Sequence, residues 1–233
     1  MDQNIKHYLV GGYVRDTLLN IPSKDVDYAV EAPSFGAMRG WLIEKGHTIF
    51  QEREEYGVIR SRIGKEAADH TLCRKDGPYS DGRRPDWTKT GTLMDDLARR
   101  DFTMNAIAQD PATGDLIDPH HGHNDILSGR IRAVGDPEQR LQEDALRAFR
   151  ALRFAITKGF TIDEELDFAM RKVKMLDLMK NVSTDRIRDE LHRMFKHDSI
   201  GSMLLLVQKY PMYLGVVEQR GIWLEPTVKG GTS

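Results

Sequence analysis

Hydrophobic positions in the first 138 residues come in short runs broken by glycine, proline and aspartate; beyond them the rhythm changes to 3.6 residues. Tyr8-Leu9-Val10 reads as a buried strand closing at Gly11-Gly12, and Val14 to Leu19 as the start of a helix halted by Asn20-Ile21-Pro22. Val26, Tyr28 and Val30 alternate with Asp25, Asp27 and Ala29, a period-two strand with one acidic face. A helix is predicted over 35–44, strands over 47–50, 57–63 and 67–74, and a short strand at Leu116-Ile117. Residues 76–92 carry turn residues and no period, and are expected to form a mobile loop. Amphipathic helices are predicted over 143–157, 163–179 and 184–195, with Ser183 or Thr184 as an N-cap, and a fourth over 200–210. The last dozen residues read as a frayed tail. The picture is an α+β head with a mixed sheet, residues 1–138, followed by an all-helical neck, residues 139–233.

Composition sets bounds on this picture. At 39% hydrophobic residues, the 233-residue chain can bury a core without staples, which excludes a disordered protein. No apolar run approaches the 18 residues of a membrane span, and the first residues lack the basic and apolar regions of a signal peptide. One cysteine, Cys73, allows no internal disulfide, so a reducing, cytoplasmic compartment is expected. Net charge is −2, from 34 basic and 36 acidic side chains, so any nucleic-acid contact must rest on clustered cations.

The cations do cluster, and so do the acids that matter. Asp25 and Asp27, two apart on a strand, project from the same face. Two like charges so close repel and raise one pKa unless a hard divalent cation such as Mg²⁺ joins them. Gly11-Gly12 lets backbone amides approach a polyanion without a Cβ in the way. Asp-x-Asp or Gly-Gly alone is commonplace; together, with a short strand before and after, they specify a metal–triphosphate site. Further on, Asp144, Arg147, Arg150 and Arg153 recur at steps of three, beside an apolar stripe of Leu146, Phe149 and Leu152. Three arginines on one flank repel unless they meet anions, whereas a merely solvated face would interleave acids. His120-His121-Gly122-His123 sits in a turn and His197-Asp198 has no partner histidines upstream, so both are weak metal signals; Cys73, inside a strand pattern, reads as packing.

These segments resemble a known family. GGYVRD at 11–16 with DVDYAV at 25–30 resembles the active-site signature of class II tRNA nucleotidyltransferases and bacterial poly(A) polymerases, within the polymerase-β-like superfamily. DGRRP at 81–85, DDLARRDFTMNAIA at 95–108, IDPHHGHNDI at 117–126, EDALRAFRALRF at 143–154 and VSTDRIRDEL at 182–191 are similar to its later blocks, in the same order. The resemblance implies that Asp25 and Asp27 bind two Mg²⁺ ions and that Asp69 stands at the third acid, where the family often has Glu. It implies that Arg100 meets the nucleotide phosphates and that Asn105 pins its loop or contacts the sugar. Gly12 and Arg15 would face the triphosphate from the first helix, while Arg99 is expected in a surface ion pair. Asp144 and Arg147 would read the base side by side on one helical turn, with Arg150 and Arg153 also at the nucleotide.

The reaction so implied is template-independent addition of CMP and AMP, from CTP and ATP, to the 3′ end and acceptor stem of tRNA. Narrower members of the family add only A, only CC, or poly(A). A non-catalytic RNA-binding relative is the rival from another class, and intact Asp25, Asp27, Arg147 and Arg150 weigh against it. Family members usually continue into long helical regions, whereas about 40 residues follow residue 195 here. The expectation is therefore a small RNA footprint, or help from a partner or a second copy in a homodimer.

Overall fold

The computed structural model describes residues 5–23 and 25–223. The chain forms two compact units, Met1–Gly77 with Trp87–Leu127 and Pro78–Asp86 with Ser128–Ser233.

In the first unit β1 (Lys6–Val10) runs straight into α1 (Gly11–Leu18), so the helix begins at the first glycine, three residues before the apolar pattern suggests. β2 (Val26–Glu31) follows, then α2 (Phe35–Glu44), whose start is capped by the Ser34 hydroxyl accepting the Ala37 N–H at 3.1 Å. β3 (Thr48–Arg53), β4 (Val58–Ile63) and β5 (Glu66–Leu72) form a meander. With β8 (Ala108–Gln109) and β9 (Leu116–Ile117) they complete a seven-stranded sheet in the order β3-β4-β5-β2-β1-β8-β9. Only β2 and β5 pair in parallel, so the sheet is mixed, as the α+β reading expects. α2 covers one face of it. Val30, Met38, Leu42 and Ile59 are fully buried there, with Tyr28, Trp41 and Leu72 packed around them. Each such aliphatic side chain contributes roughly 1.5–3 kcal/mol of burial. The period-two rule then sends Asp27 to the opposite face.

Residues 76–92 depart from the expected loop. β6 (Arg74–Asp76) and β7 (Thr88–Thr90) pair as a hairpin, and Asp81 accepts the N–H groups of Arg83 and Arg84 at 2.8 and 2.6 Å in its tip. α3 (Leu93–Ala98) opens with a capping box between Thr92 and Asp95, and α4 (Gly122–Leu127) ends the unit.

The second unit holds β10 (Arg130–Ile131), α5 (Pro137–Glu143), α6 (Leu146–Lys158), β11 (Thr161–Ile162), α7 (Glu164–Met170), α8 (Lys174–Met179), α9 (Thr184–His197), α10 (Ser199–Leu204) and α11 (Pro211–Gln219). It is helical apart from the two-residue parallel ladder of β10 with β11. α6 packs on α9, and Phe149 meets Tyr213 edge to face at 5.3 Å. Three helix expectations need correction. The helix predicted over 143–157 breaks at Asp144, and that over 163–179 breaks between Met170 and Lys174. The helix over 200–210 passes into one wide turn, Leu205–Lys209, and a further helix, α11, follows. From residue 224 on, the expected tail lies outside the described residues. Among the described residues no single helix is long and apolar enough to cross a membrane.

Candidate active site

Sheet register builds the first cluster. In the parallel pair of β2 and β5, Asp27 lies directly beside Asp69; in the antiparallel pair of β5 and β4, Asp69 lies beside Arg60. The Arg60 Nε donates to Asp69 Oδ1 at 2.6 Å. Asp25, exposed, stands one residue ahead of β2. Burial and then the nearby Asp69 push the Asp27 carboxyl above its ordinary pKa; Asp25 adds to this, while Arg100 and Arg60 oppose it. This is the repulsion that a cation relieves, and the donors present are carboxylate oxygens, which suit a hard divalent ion. Among the described residues no three carboxylate, imidazole or thiol groups form a ready cage. A cation held by Asp25 and Asp27 would complete its shell with water or substrate oxygens.

On the other side of Asp27 stands the turn from β1 into α1. Gly11 has φ +69, and a Cβ there would lie 3.0 Å from Arg100 Nη1 and 3.9 Å from Asp27 Oδ2. Glycine is therefore favoured by the left-handed backbone, and a Cβ there would also crowd Arg100. At Gly12 a Cβ would meet only Arg15 Nη2, at 3.5 Å, so of the two glycines Gly11 is the constrained one. No side-chain hydrogen bond caps α1, and its first turn holds no acid that would repel an anion.

Arg100 is pre-set for its position. Its Nε and Nη2 donate to Asp96 Oδ2 at 3.2 and 2.9 Å, and its Nη1 to the Asn105 carbonyl at 3.1 Å. Burial raises the Asp96 carboxyl, yet Arg99 and Arg100 outweigh it and hold the group below its usual range. Arg15 serves differently from expectation. It is buried, donating to Asn105 Oδ1 at 2.5 Å and to Asp16 at 2.9 Å, so it braces the loop. Asn105 in turn donates to Asp101 Oδ1 at 3.0 Å. Arg99, expected in a surface ion pair, instead pairs with the fully buried Asp96, and buried Asp101 accepts the Phe102 N–H. Cys73 is buried with its thiol pushed well above the ordinary range, chiefly by desolvation, so it is no nucleophile.

The arginine stripe belongs to the second unit, and its anions come from within the chain. Arg147 Nη1 donates to Glu143 Oε2 at 2.8 Å, and Arg153 Nε to Glu190 Oε2 at 2.5 Å, with Arg150 3.6 Å from Glu190. Arg153 also lies over the Phe154 ring, at 3.9 Å from its centroid. Asp144 is not helical: with φ −154 and ψ 103 it links α5 to α6, and its carbonyl accepts the Arg147 N–H at 3.1 Å in the turn that opens α6. Its carboxylate accepts the Leu146 N–H at 3.1 Å and the Arg186 guanidinium at 2.6 and 3.3 Å. Arg186, Glu143 and Glu190 are the residues that the spacing argument missed. All three lie within quoted motifs, but no one-dimensional period connects α9 to the α5–α6 junction.

Residues 7–132 match the family described as Poly A polymerase head domain, and residues 159–214 the one described as "Probable RNA and SrmB- binding site of polymerase A". The chain is 37% identical to the CCA-adding enzyme of Oceanobacillus iheyensis over 198 residues, 84% of this chain and 48% of that one. It is 38% identical to that of Listeria innocua over 210 residues, 88% of this chain and 50% of that one. Thus it spans about half the length of the curated relatives it matches. Among solved structures, the Bacillus stearothermophilus CCA-adding enzyme in complex with CTP superposes with a TM-score of 0.76 at 31% identity, covering 88% of this chain and 48% of that one. A tRNA nucleotidyltransferase complexed with a primer tRNA and an incoming ATP analog gives 0.75 at 28%, covering 92% and 60%.

Proposed function

This chain belongs to the poly(A) polymerase head-domain family, and from that premise we propose that it transfers nucleotides, adding CMP and AMP from CTP and ATP to the 3′ ends of tRNA. The names of its relatives support the reading. The observation that carries it is the row in which Asp27 and Asp69 lie side by side while Arg100 and Asp27 both border Gly11. In the reaction the RNA 3′-hydroxyl attacks the α-phosphorus, a new P–O bond forms, and pyrophosphate leaves in line. Asp25 and Asp27 would hold Mg²⁺, which when bound supplies Lewis acidity toward the hydroxyl and the triphosphate. Arg100 and the N-terminal amides of α1 receive the phosphates, positioned by Asp96 and by the Arg15–Asn105–Asp101 brace. Asp69 is the third carboxylate.

Base choice falls to Asp144 and Arg147. A carboxylate only accepts and a guanidinium only donates, which fits the shared amine–ring-nitrogen edge of cytosine and adenine and opposes uracil and guanine. Arg186 and Glu143 hold these two groups in place, so the contact is pre-organised although Asp144 itself lies outside the helix. Arg153 and Arg150 both face Glu190 and the Phe154 ring, Arg153 more closely, and Arg150, the more exposed of the two, is assigned as the stripe's nucleotide contact. The compartment consistent with these substrates is the cytoplasm.

The test is extension of tRNAs ending before CCA, after C and after CC, with each nucleotide supplied separately. CCA addition requires C on the first two and A on the third. Growth of the third into a long ladder of A would replace the reading with poly(A) synthesis, and no extension of any would overturn transfer altogether.

A further inference from the structure

The carboxylate row does not end at Asp69. Register continues it through Arg60 on β4 to Gln51 on β3, so Asp27, Asp69, Arg60 and Gln51 form one line across four strands of the same face. Beside the outer end of that line, Gln51, Arg53, Tyr56, Val58, Arg60 and Asp69 enclose a cavity of 460 Å³. Val58 gives it an apolar side chain, Arg53 and Arg60 two guanidiniums, and Tyr56 a half-exposed ring. The ring is set by the tight turn Glu54–Tyr56 and by Gly57, whose φ of +67 returns the chain into β4.

Sheet order decides what such a cavity serves. Gly11 and Arg100 lie on the β1 side of Asp27; the cavity lies on the β5 side, beyond Asp69. In-line displacement places the leaving pyrophosphate and the attacking hydroxyl on opposite sides of the phosphorus. If the triphosphate lies along Arg100, the attacking strand enters from β4 and β3. We propose that the cavity seats the 3′-terminal nucleotide of the RNA that is extended. Its base stacks on Tyr56, and Arg53 and Arg60 meet the adjoining phosphodiester. This deepens the transfer reading by naming residues for the acceptor strand. The volume suits a single base and sugar, and planar guanidiniums beside an exposed aromatic ring are the groups that hold single-stranded RNA without choosing its sequence.

The experiment is a fluorescence anisotropy titration of a 5′-labelled acceptor minihelix ending in a single-stranded C, with no nucleotide present. The wild type is compared with Tyr56→Ala and Arg53→Gln. Tyr56→Ala should weaken binding about five- to tenfold, toward the lower end for a lost base–aromatic stack. An RNA with an abasic terminal residue should bind wild type and Tyr56→Ala alike. Arg53→Gln should lower the slope of log Kd against log salt by about 0.7, one phosphate on a single strand. Thermal melting of both variants and their affinity for CTP should match wild type, which a general loosening of the β3–β4 edge would not allow. Unchanged RNA affinity in both variants, an equal Tyr56→Ala penalty on the abasic RNA, or a parallel loss of CTP affinity would each overturn the assignment. Binding is read without turnover. A wild type that binds RNA as described but extends none would therefore sink the transfer reading and leave this one standing.

Discussion

Asp27 carries an electrostatic conflict in the first unit, since burial, Asp69 and Asp25 all oppose its charge. An aspartate whose folded pKa is raised above its unfolded value weakens the fold once ionised, so at neutral pH its charge is a liability without a cation. Asp27→Asn should accordingly leave the metal-free melting temperature unchanged or slightly higher, while activity falls on the order of a hundredfold or more. Retention of more than a few per cent of Mg²⁺-dependent transfer, or a clear drop in melting temperature, would contradict this. The pairing of Asp25 with Asp27 is legible from the chain because a period-two strand fixes which side chains share a face. What spacing cannot express is burial. Arg15 reads as a phosphate ligand from its place in GGYVRD, yet it lies inside the unit and braces Asn105. Gly11 and Gly12 look equivalent in the sequence, and only the backbone angle and the approach of Arg100 separate them.

At the scale of elements, the face of the sheet opposite the carboxylates holds a second conflict. His70 is buried, stacked at 5.1 Å on Tyr28 and edge-on to His47, and both its ring nitrogens lack hydrogen-bond partners. Desolvation, with smaller contributions from His47 and His7, lowers its pKa to about 4. The unfolded chain then binds the proton that the folded one refuses, so stability is full above pH 6.5 and declines as pH falls toward 4, by up to about 3 kcal/mol. His7 and His47 are lowered too and act in the same direction. Urea midpoints should therefore drop between pH 7.5 and 4.5, and His70→Phe should make that drop visibly smaller; an equal drop in the variant would refute it. The break between α5 and α6 is the clearest case of an element the sequence hides. Apolar spacing from Leu141 to Phe154 stays helical throughout, and the break falls where the Asp144 carboxylate meets Arg186 on α9 and the Leu146 N–H. Asp144→Ala removes that pair and the acceptor for the Leu146 N–H, costing about 1 kcal/mol of stability. If Asp144 also reads the base, kcat/KM for CTP and ATP relative to UTP and GTP should fall about tenfold or more. A lower melting temperature with unaltered ratios would make Asp144 a structural residue only. Strand alternation and the capped helix α2 were readable because each is decided locally; junctions and hairpin β6–β7 were not, because long-range partners decide them.

For the whole molecule, charge sets the expectation. The chain carries 34 basic against 36 acidic side chains, and many of the arginines are already engaged internally. Arg100 is held by Asp96, Arg147 by Glu143, Arg153 by Glu190 and Arg186 by Asp144. Breaking such partly buried pairs to reach a phosphate exchanges one ion pair for another with little gain, because the acid left behind is uncompensated. RNA affinity can then draw on only a few phosphate contacts. Each phosphate neutralised on a duplex steepens log K against log salt by about 0.9, and on a single strand by about 0.7. For a tRNA acceptor stem bound to this chain, the slope should be shallow, of magnitude about 2 to 4, where binders with many phosphate contacts approach about 10. A titration of labelled tRNA between low and physiological salt measures it directly. A slope of magnitude about 7 or more would mean that the internal ion pairs open on binding. The arginines of α6 would then be RNA contacts held in reserve rather than struts of the second unit.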